Sequence, residues 1–97
     1  MSLKIENKNA ETLALAGRVD TLTAPEMESK IFAMLPTVQT LTLDMEKLDY
    51  ISSAGLRVIL KTHKALEKKS GLKLTHVPEA VKEVFDITGF SDFLTME

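Results

Sequence analysis

The chain has 97 residues, 44% of them hydrophobic and 27% charged, which suits one small soluble domain spanning 1–97 and leaves no room for a second core. Twelve Lys and Arg against fourteen Asp and Glu give a formal charge of −2, with no like-charged block longer than Lys68-Lys69, and this argues against nucleic acid as a direct partner. The absence of cysteine removes disulfides, thiolate catalysis and thiolate metal sites together; with no long apolar run at the N-terminus it points to the cytoplasm rather than to a membrane or secretion.

Leu3 and Ile5 alternate with Lys4 and Glu6, and after an Asn7-Lys8-Asn9 turn a second alternation runs through Leu13, Leu15, Gly17 and Val19, which predicts a hairpin. Thr23-Ala24-Pro25-Glu26 has capping-box spacing with Pro in the first turn, and Met27, Ile31, Met34 and Leu35 then share one helical face up to Pro36. Thr40 to Met45 alternates as a strand, and the polar stretch Glu46 to Asp49 is expected to leave it and lead into Ile51-Ser52-Ser53-Ala54-Gly55-Leu56. From Ala54, the positions Leu56, Ile59, Leu60, His63 and Leu66 fall on one face of a second helix, with Ser70-Gly71 as its C-terminal signal. Leu72 to Val77 predicts another strand. Pro78-Glu79 opens a third helix that closes at Gly89, and Phe93 to Met96 is a short final strand. Strand, helix, strand units with short connections imply parallel pairing and right-handed crossovers, so the expected class is α/β, with a mixed sheet of four to five strands and helices packed against it.

The second helix start differs from the other two. A helix N-terminus carries about +0.5 of an elementary charge, usually offset by a capping oxygen and a first-turn carboxylate. Glu26 and Glu28 serve the first helix and Glu79 the third, whereas Ser53 is followed by Ala54, Gly55, Leu56 and Arg57. A phosphate on a cap serine would supply the missing charge, bind the free N–H groups of its own helix, and change the outer surface by about two negative charges. Serine is also a favoured N-cap, contributing about 1 kcal/mol there, so this helix end alone is read more readily as a cap than as a switch.

These residues resemble the STAS domain family (sulphate transporter and anti-sigma factor antagonist), and within it the stand-alone bacterial anti-sigma factor antagonists. The likeness covers nearly the whole chain: Gly17-Arg18-Val19-Asp20, Thr23-Ala24-Pro25-Glu26, the Leu41-Leu43-Asp44 strand, Ser52-Ser53-Ala54-Gly55-Leu56, and Phe85-Asp86-Ile87-Thr88-Gly89-Phe90. The resemblance implies a non-enzymatic protein without a cofactor. Unphosphorylated, it binds an anti-sigma factor that is also an ATP-using serine kinase and so frees a sigma factor; phosphorylation ends the binding and a serine phosphatase resets it. Matched on Gly55-Leu56, the family's phosphoserine falls on Ser53, its aspartate on Ser52, its next Ser/Thr on Ala54 and a common glycine on Arg57. Asp20, Asp49, Ser52, Ala54, Gly55 and Arg57 are then the setting of the phosphosite and part of the partner face. The alternative within the same fold is a constitutive interaction subunit of a transport or signalling complex, with Ser53 only a cap.

Other chemistries fit less well. Ile51-Ser52-Ser53-Ala54-Gly55 lacks the first glycine of a hydrolase Gly-x-Ser-x-Gly, and His63, ten residues along the helix from Ser53, would lie roughly 15 Å away. His63 is expected to be a packed or capping residue, and His76, at the end of a strand parallel to the one that feeds the motif and so near the same edge, to be a surface residue. Asp20, Asp44 and Asp49 form no adjacent acidic pair, two histidines without cysteine argue against a zinc site, and both glycine-rich nucleotide loops are missing. Lys61, Lys64 and Lys68 recur at helical spacing as a solvated face that, with Arg57, would steer an acidic partner.

Overall fold

A computed structural model describes residues 3–97. Strands β1 (Leu3–Asn9) and β2 (Thr12–Val19) form the antiparallel hairpin, and β3 (Thr40–Ile51), β4 (Gly71–Thr75) and β5 (Thr95–Met96) each add in parallel to the strand before. The sheet order is therefore the chain order, β1 to β5. Three α-helices among the described residues make the crossovers: α1 (Ala24–Met34), α2 (Ser53–Ala65) and α3 (Glu79–Thr88). Because the strands advance in one direction with right-handed crossovers, all the helices lie on one face of the sheet. Leu13 and Leu15, Leu41 and Leu43, and Leu72 and Leu74 point from alternate strand positions into that layer, where they meet Met27, Ile31, Ile59, Val81 and Phe85. The opposite face carries smaller or polar residues, including Thr12, Ala14, Ala16, Thr42 and Lys73, which are half-buried.

Several boundaries differ from the sequence expectation. The hairpin turn is Ala10-Glu11, not Asn7-Lys8-Asn9, since β1 keeps its pairing as far as Asn9 opposite Thr12. The largest departure is β3, which continues through Glu46 to Asp49. Two steps on β2, Ala14 to Ala16, are matched by three on β3, Asp44 to Lys47; then one step, Gly17 to Arg18, is matched by two, Leu48 to Tyr50. Each mismatch is a bulge, which lets an extra residue enter one strand and re-aims its side chains. Met45, Leu48 and Ile51 are consequently all buried although three residues apart. A strand read only by two-residue alternation stops at the first bulge. Asp49, expected in a loop, is the unpaired residue of the second bulge and is exposed.

Helix α2 ends at Ala65, with Leu66 as C-cap, so Ser70-Gly71 does not terminate it; Gly71 begins β4 instead. Lys68 thus lies in the following turn and not on the helix. Strand β4 stops at Thr75, and β5 is only Thr95–Met96. Helix α3 does close at Gly89, whose φ of +82 is the left-handed conformation that glycine adopts without a Cβ clash. His63 is packed as expected, its ring 5.0 Å from that of Phe93.

Candidate functional site

The start of α2 is built by the last pairing of the sheet. Val19 lies opposite Ile51 on β2 and β3, and the Ser52 N–H donates to the Val19 carbonyl at 2.8 Å. This holds Ser52 extended, at φ −94 and ψ 176, as the N-cap residue, and Ser53 becomes the first residue of the helix. The cap is therefore Ser52, not Ser53 as the sequence suggested: the helix starts one residue earlier, because the bond to Val19 holds Ser52 extended and the chain turns directly after it. The Ser52 Oγ accepts from the Gly55 N–H at 3.4 Å, beyond the usual 2.7–3.2 Å range, so the cap is a weak one. The Leu56 N–H is the first to bond back, to the Ser52 carbonyl at 2.9 Å, which leaves the N–H groups of Ser53, Ala54 and Gly55 without a carbonyl partner inside the helix.

Ser53 is exposed, and its hydroxyl has no hydrogen bond to another described residue. No acidic residue occupies the first turn of α2, whereas Glu26 and Glu79 stand in the first turns of α1 and α3. Arg57 is exposed one turn below Ser53, on the same helical face. The site thus has a free hydroxyl, unsatisfied backbone donors and positive charge in one place, which is the arrangement an added anion stabilises.

Gly55 has a steric role. A Cβ there would lie 2.6 Å from both Val19 Cγ1 and Ile51 Cγ1, so what approaches its backbone is the sheet, and the helix start is pressed onto the ends of β2 and β3.

Asp20 follows Val19 directly and shapes the neighbouring loop. Its Oδ1 accepts from the N–H groups of Leu22 and Thr23, both at 3.0 Å. The Thr23 N–H bond holds the Asp20 carboxyl below its ordinary pKa against a partial burial that opposes it, and the Leu22 N–H, the Thr23 hydroxyl and Arg18 add to the effect. Thr23 is the N-cap of α1 but makes no capping hydrogen bond. Its hydroxyl is committed instead to the Arg18 carbonyl at 2.8 Å and the Asp20 N–H at 2.9 Å, so the expected capping box does not form. Asp49, also expected in this setting, has no hydrogen bond linking it to the start of α2 among the described residues.

Features the sequence did not single out complete the surface. Arg18 lies over the Tyr50 ring, 4.4 Å from its centroid, a pair made by their positions opposite each other on β2 and β3. Leu22 in the loop before α1 is 87% exposed. A groove of about 310 Å³ separates the starts of α1 and α2 and is lined by Thr21, Pro25, Ala54, Arg57 and Lys61. Of the anticipated lysine row, Lys61 is tied to Glu28 of α1 at 3.1 Å, and only Lys64 remains as a free member on α2.

The sequence profile of the STAS domain matches residues 3–97. The chain belongs to the STAS family. An anti-sigma-B factor antagonist of Bacillus subtilis is 31% identical to this STAS chain over 90 residues, a stretch covering 92% of this chain and 83% of that protein. Among solved structures, an anti-sigma factor antagonist from Mycobacterium paratuberculosis superposes with a TM-score of 0.84 at 22% identity, covering 98% of this chain and 83% of the other. The phosphorylated form of the Bacillus cell fate determinant SpoIIAA superposes with a TM-score of 0.71 at 21% identity, covering 99% and 91%. Both the Bacillus subtilis and the Mycobacterium paratuberculosis relatives carry the name of anti-sigma factor antagonists. No described helix of this STAS domain is long and apolar enough to cross a membrane.

Proposed function

We propose that this STAS domain is a cytoplasmic, phosphorylation-gated anti-sigma factor antagonist. Unmodified, it binds an anti-sigma factor that is also a serine kinase, and so releases the sigma factor; phosphate on Ser53 ends that binding, and a serine phosphatase restores it. The observation that carries the reading is the exposed Ser53 hydroxyl at the one α-helix start without a first-turn acid among the described residues. Support also comes from the antagonist relatives and from the likeness to a phosphorylated member of the fold.

The chemistry follows from the position. Phosphate at the first helical residue is within reach of the unsatisfied N–H groups and the positive pole of α2, so the modified domain keeps its fold. The change is felt outside, where about two negative charges appear between exposed Leu22, Arg57 and the groove beside Ala54. A partner that packs apolar and neutral groups on that face loses affinity, because the phosphate would have to be desolvated against groups that offer it no compensating charge.

The test is to incubate the protein with ATP and the kinase encoded as its partner and to map modified residues by mass spectrometry. A single phosphate on Ser53, absent in Ser53→Ala, is expected. Modification of Ser52 moves the site by one residue, and no modification of either, with partner binding indifferent to Ser53→Asp, makes the domain a constitutive interaction subunit.

A further inference from the structure

On the open face of the sheet, well away from α2, the first bulge of β3 gathers a second group of polar residues. The bulge falls opposite Leu15 and turns Glu46 beside Asp44, whose Oδ1 accepts from the Glu46 N–H at 3.1 Å. His76, the first residue after β4, stands at φ +54 and brings its Nδ1 to 3.1 Å from the same Asp44 oxygen. Thr75 pairs with Asp44 in the sheet, so the histidine is carried to the carboxylate by the register itself. One donor atom from each of Asp44, Glu46 and His76 lies within 4.8 Å of the others, an arrangement found once among the described residues. The cluster opens onto a groove of about 580 Å³ floored by Ala14 and Ala16.

We propose that Asp44, Glu46 and His76 form a binding site for a divalent transition ion of the zinc class. Two carboxylates and an imidazole are the donor set such ions accept, whereas magnesium and calcium select oxygen ligands alone. Donors around a tetrahedral ion held at about 2.0–2.2 Å lie roughly 3.3–3.6 Å apart, so the present spacing closes with rotations of Glu46 and His76, both of which are exposed. Asp44 is the fixed member: its side chain is only 9% exposed and anchored by the Glu46 N–H. Solvent supplies the fourth ligand from the groove. The ion ties the middle of β3 to the turn before α3.

Lys8 is the natural competitor. Its Nζ lies 3.0 Å from Asp44 Oδ2 and neutralises the carboxylate in the absence of metal, but its side chain is half exposed and can swing into solvent. Binding is therefore an exchange of one cation for another, and the site is weaker than it would be without the lysine.

The experiment is isothermal titration of the intact protein with ZnCl2 at neutral pH, repeated on Glu46→Gln, His76→Ala, His63→Ala and Lys8→Met. These exposed or half-exposed positions leave the core untouched, and circular dichroism establishes that each variant is folded. One saturable site is expected, weakened at least tenfold by Glu46→Gln and His76→Ala, unchanged by His63→Ala, tightened by Lys8→Met, and not displaced by excess MgCl2. Two results overturn the assignment: no saturable binding at millimolar zinc in either the parent or Lys8→Met, or binding that survives His76→Ala.

Discussion

Gly55 and Val19 are in contact so close that a methyl group on the glycine would sit 2.6 Å from the valine Cγ1. Both Val19 and Ile51, the second neighbour, are β-branched and fully buried, so neither yields by moving a flexible tip. Two effects oppose each other in Gly55→Ala. Helix propensity favours alanine by about 1 kcal/mol, and overpacking against two stiff side chains costs about 1–3 kcal/mol. The clash wins, and the variant is expected to unfold at lower urea, with a net loss of up to about 2 kcal/mol of stability. A midpoint equal to or above the parent's would show that α2 is not pressed on the sheet at this point.

The two serines separate by stability as well as by chemistry. Ser52→Ala removes a cap whose hydrogen bond is 3.4 Å long, so its cost lies near the low end of the usual range, about 0.5–1 kcal/mol. Ser53→Ala removes an exposed hydroxyl without a partner and is expected to stay within about 0.5 kcal/mol of the parent. Chemical denaturation of both variants distinguishes them. The reverse order would place the cap on Ser53.

Charge at the first residue of α2 is expected to stabilise. Ser53→Asp puts a carboxylate at a helix start without a first-turn acid and one turn from Arg57, a gain of about 0.3–1 kcal/mol at low ionic strength. The gain shrinks as salt is raised. Thermal melts at low and high NaCl measure it, and a melting point that falls in Ser53→Asp would mean that the positive pole is already compensated.

Acid sensitivity should trace in part to the loop beside the site. The folded Asp20 carboxyl titrates below its unfolded value, about 3.9, because the Thr23 and Leu22 N–H groups bind its ionised form. A depressed folded pKa gives stability that is fully present above the unfolded value and lost as pH falls through the folded one. Asp44 adds to the same window: burial raises its carboxyl, and the bonds from Lys8, the Glu46 N–H and His76 outweigh it and leave it lowered. Stability measured from pH 6 down to pH 2 should decline less steeply in Asp20→Asn. An unchanged slope would remove Asp20 from the account.

Much of the architecture was legible in the sequence because most elements obey a single period. The hairpin alternation, the faces of α2 and α3, and Gly89 as a stop all follow from side-chain direction, and the topology follows from element order. What was hidden lay where two periods meet. Met45, Leu48 and Ile51 repeat every three residues because bulges interrupt β3, a spacing that belongs to neither strand nor helix. The same bulges displaced Asp49 from its expected loop and set the helix cap on Ser52. Thr23 shows a different limit: its spacing to Glu26 suits a capping box, but a hydroxyl makes few bonds, and the Asp20 turn had taken them. The Arg18–Tyr50 stack joins neighbouring strands, and the Asp44, Glu46 and His76 cluster joins β3 to the residue that follows β4, so only the register reveals them.

The most direct measurement of the central claim is the affinity of the kinase-type anti-sigma factor for this domain before and after stoichiometric phosphorylation of Ser53, by titration calorimetry in one buffer. Tight binding of the unmodified domain and at least a tenfold loss on phosphorylation are predicted, with Ser53→Ala binding like the unmodified form. Equal affinity for the two forms would contradict the account.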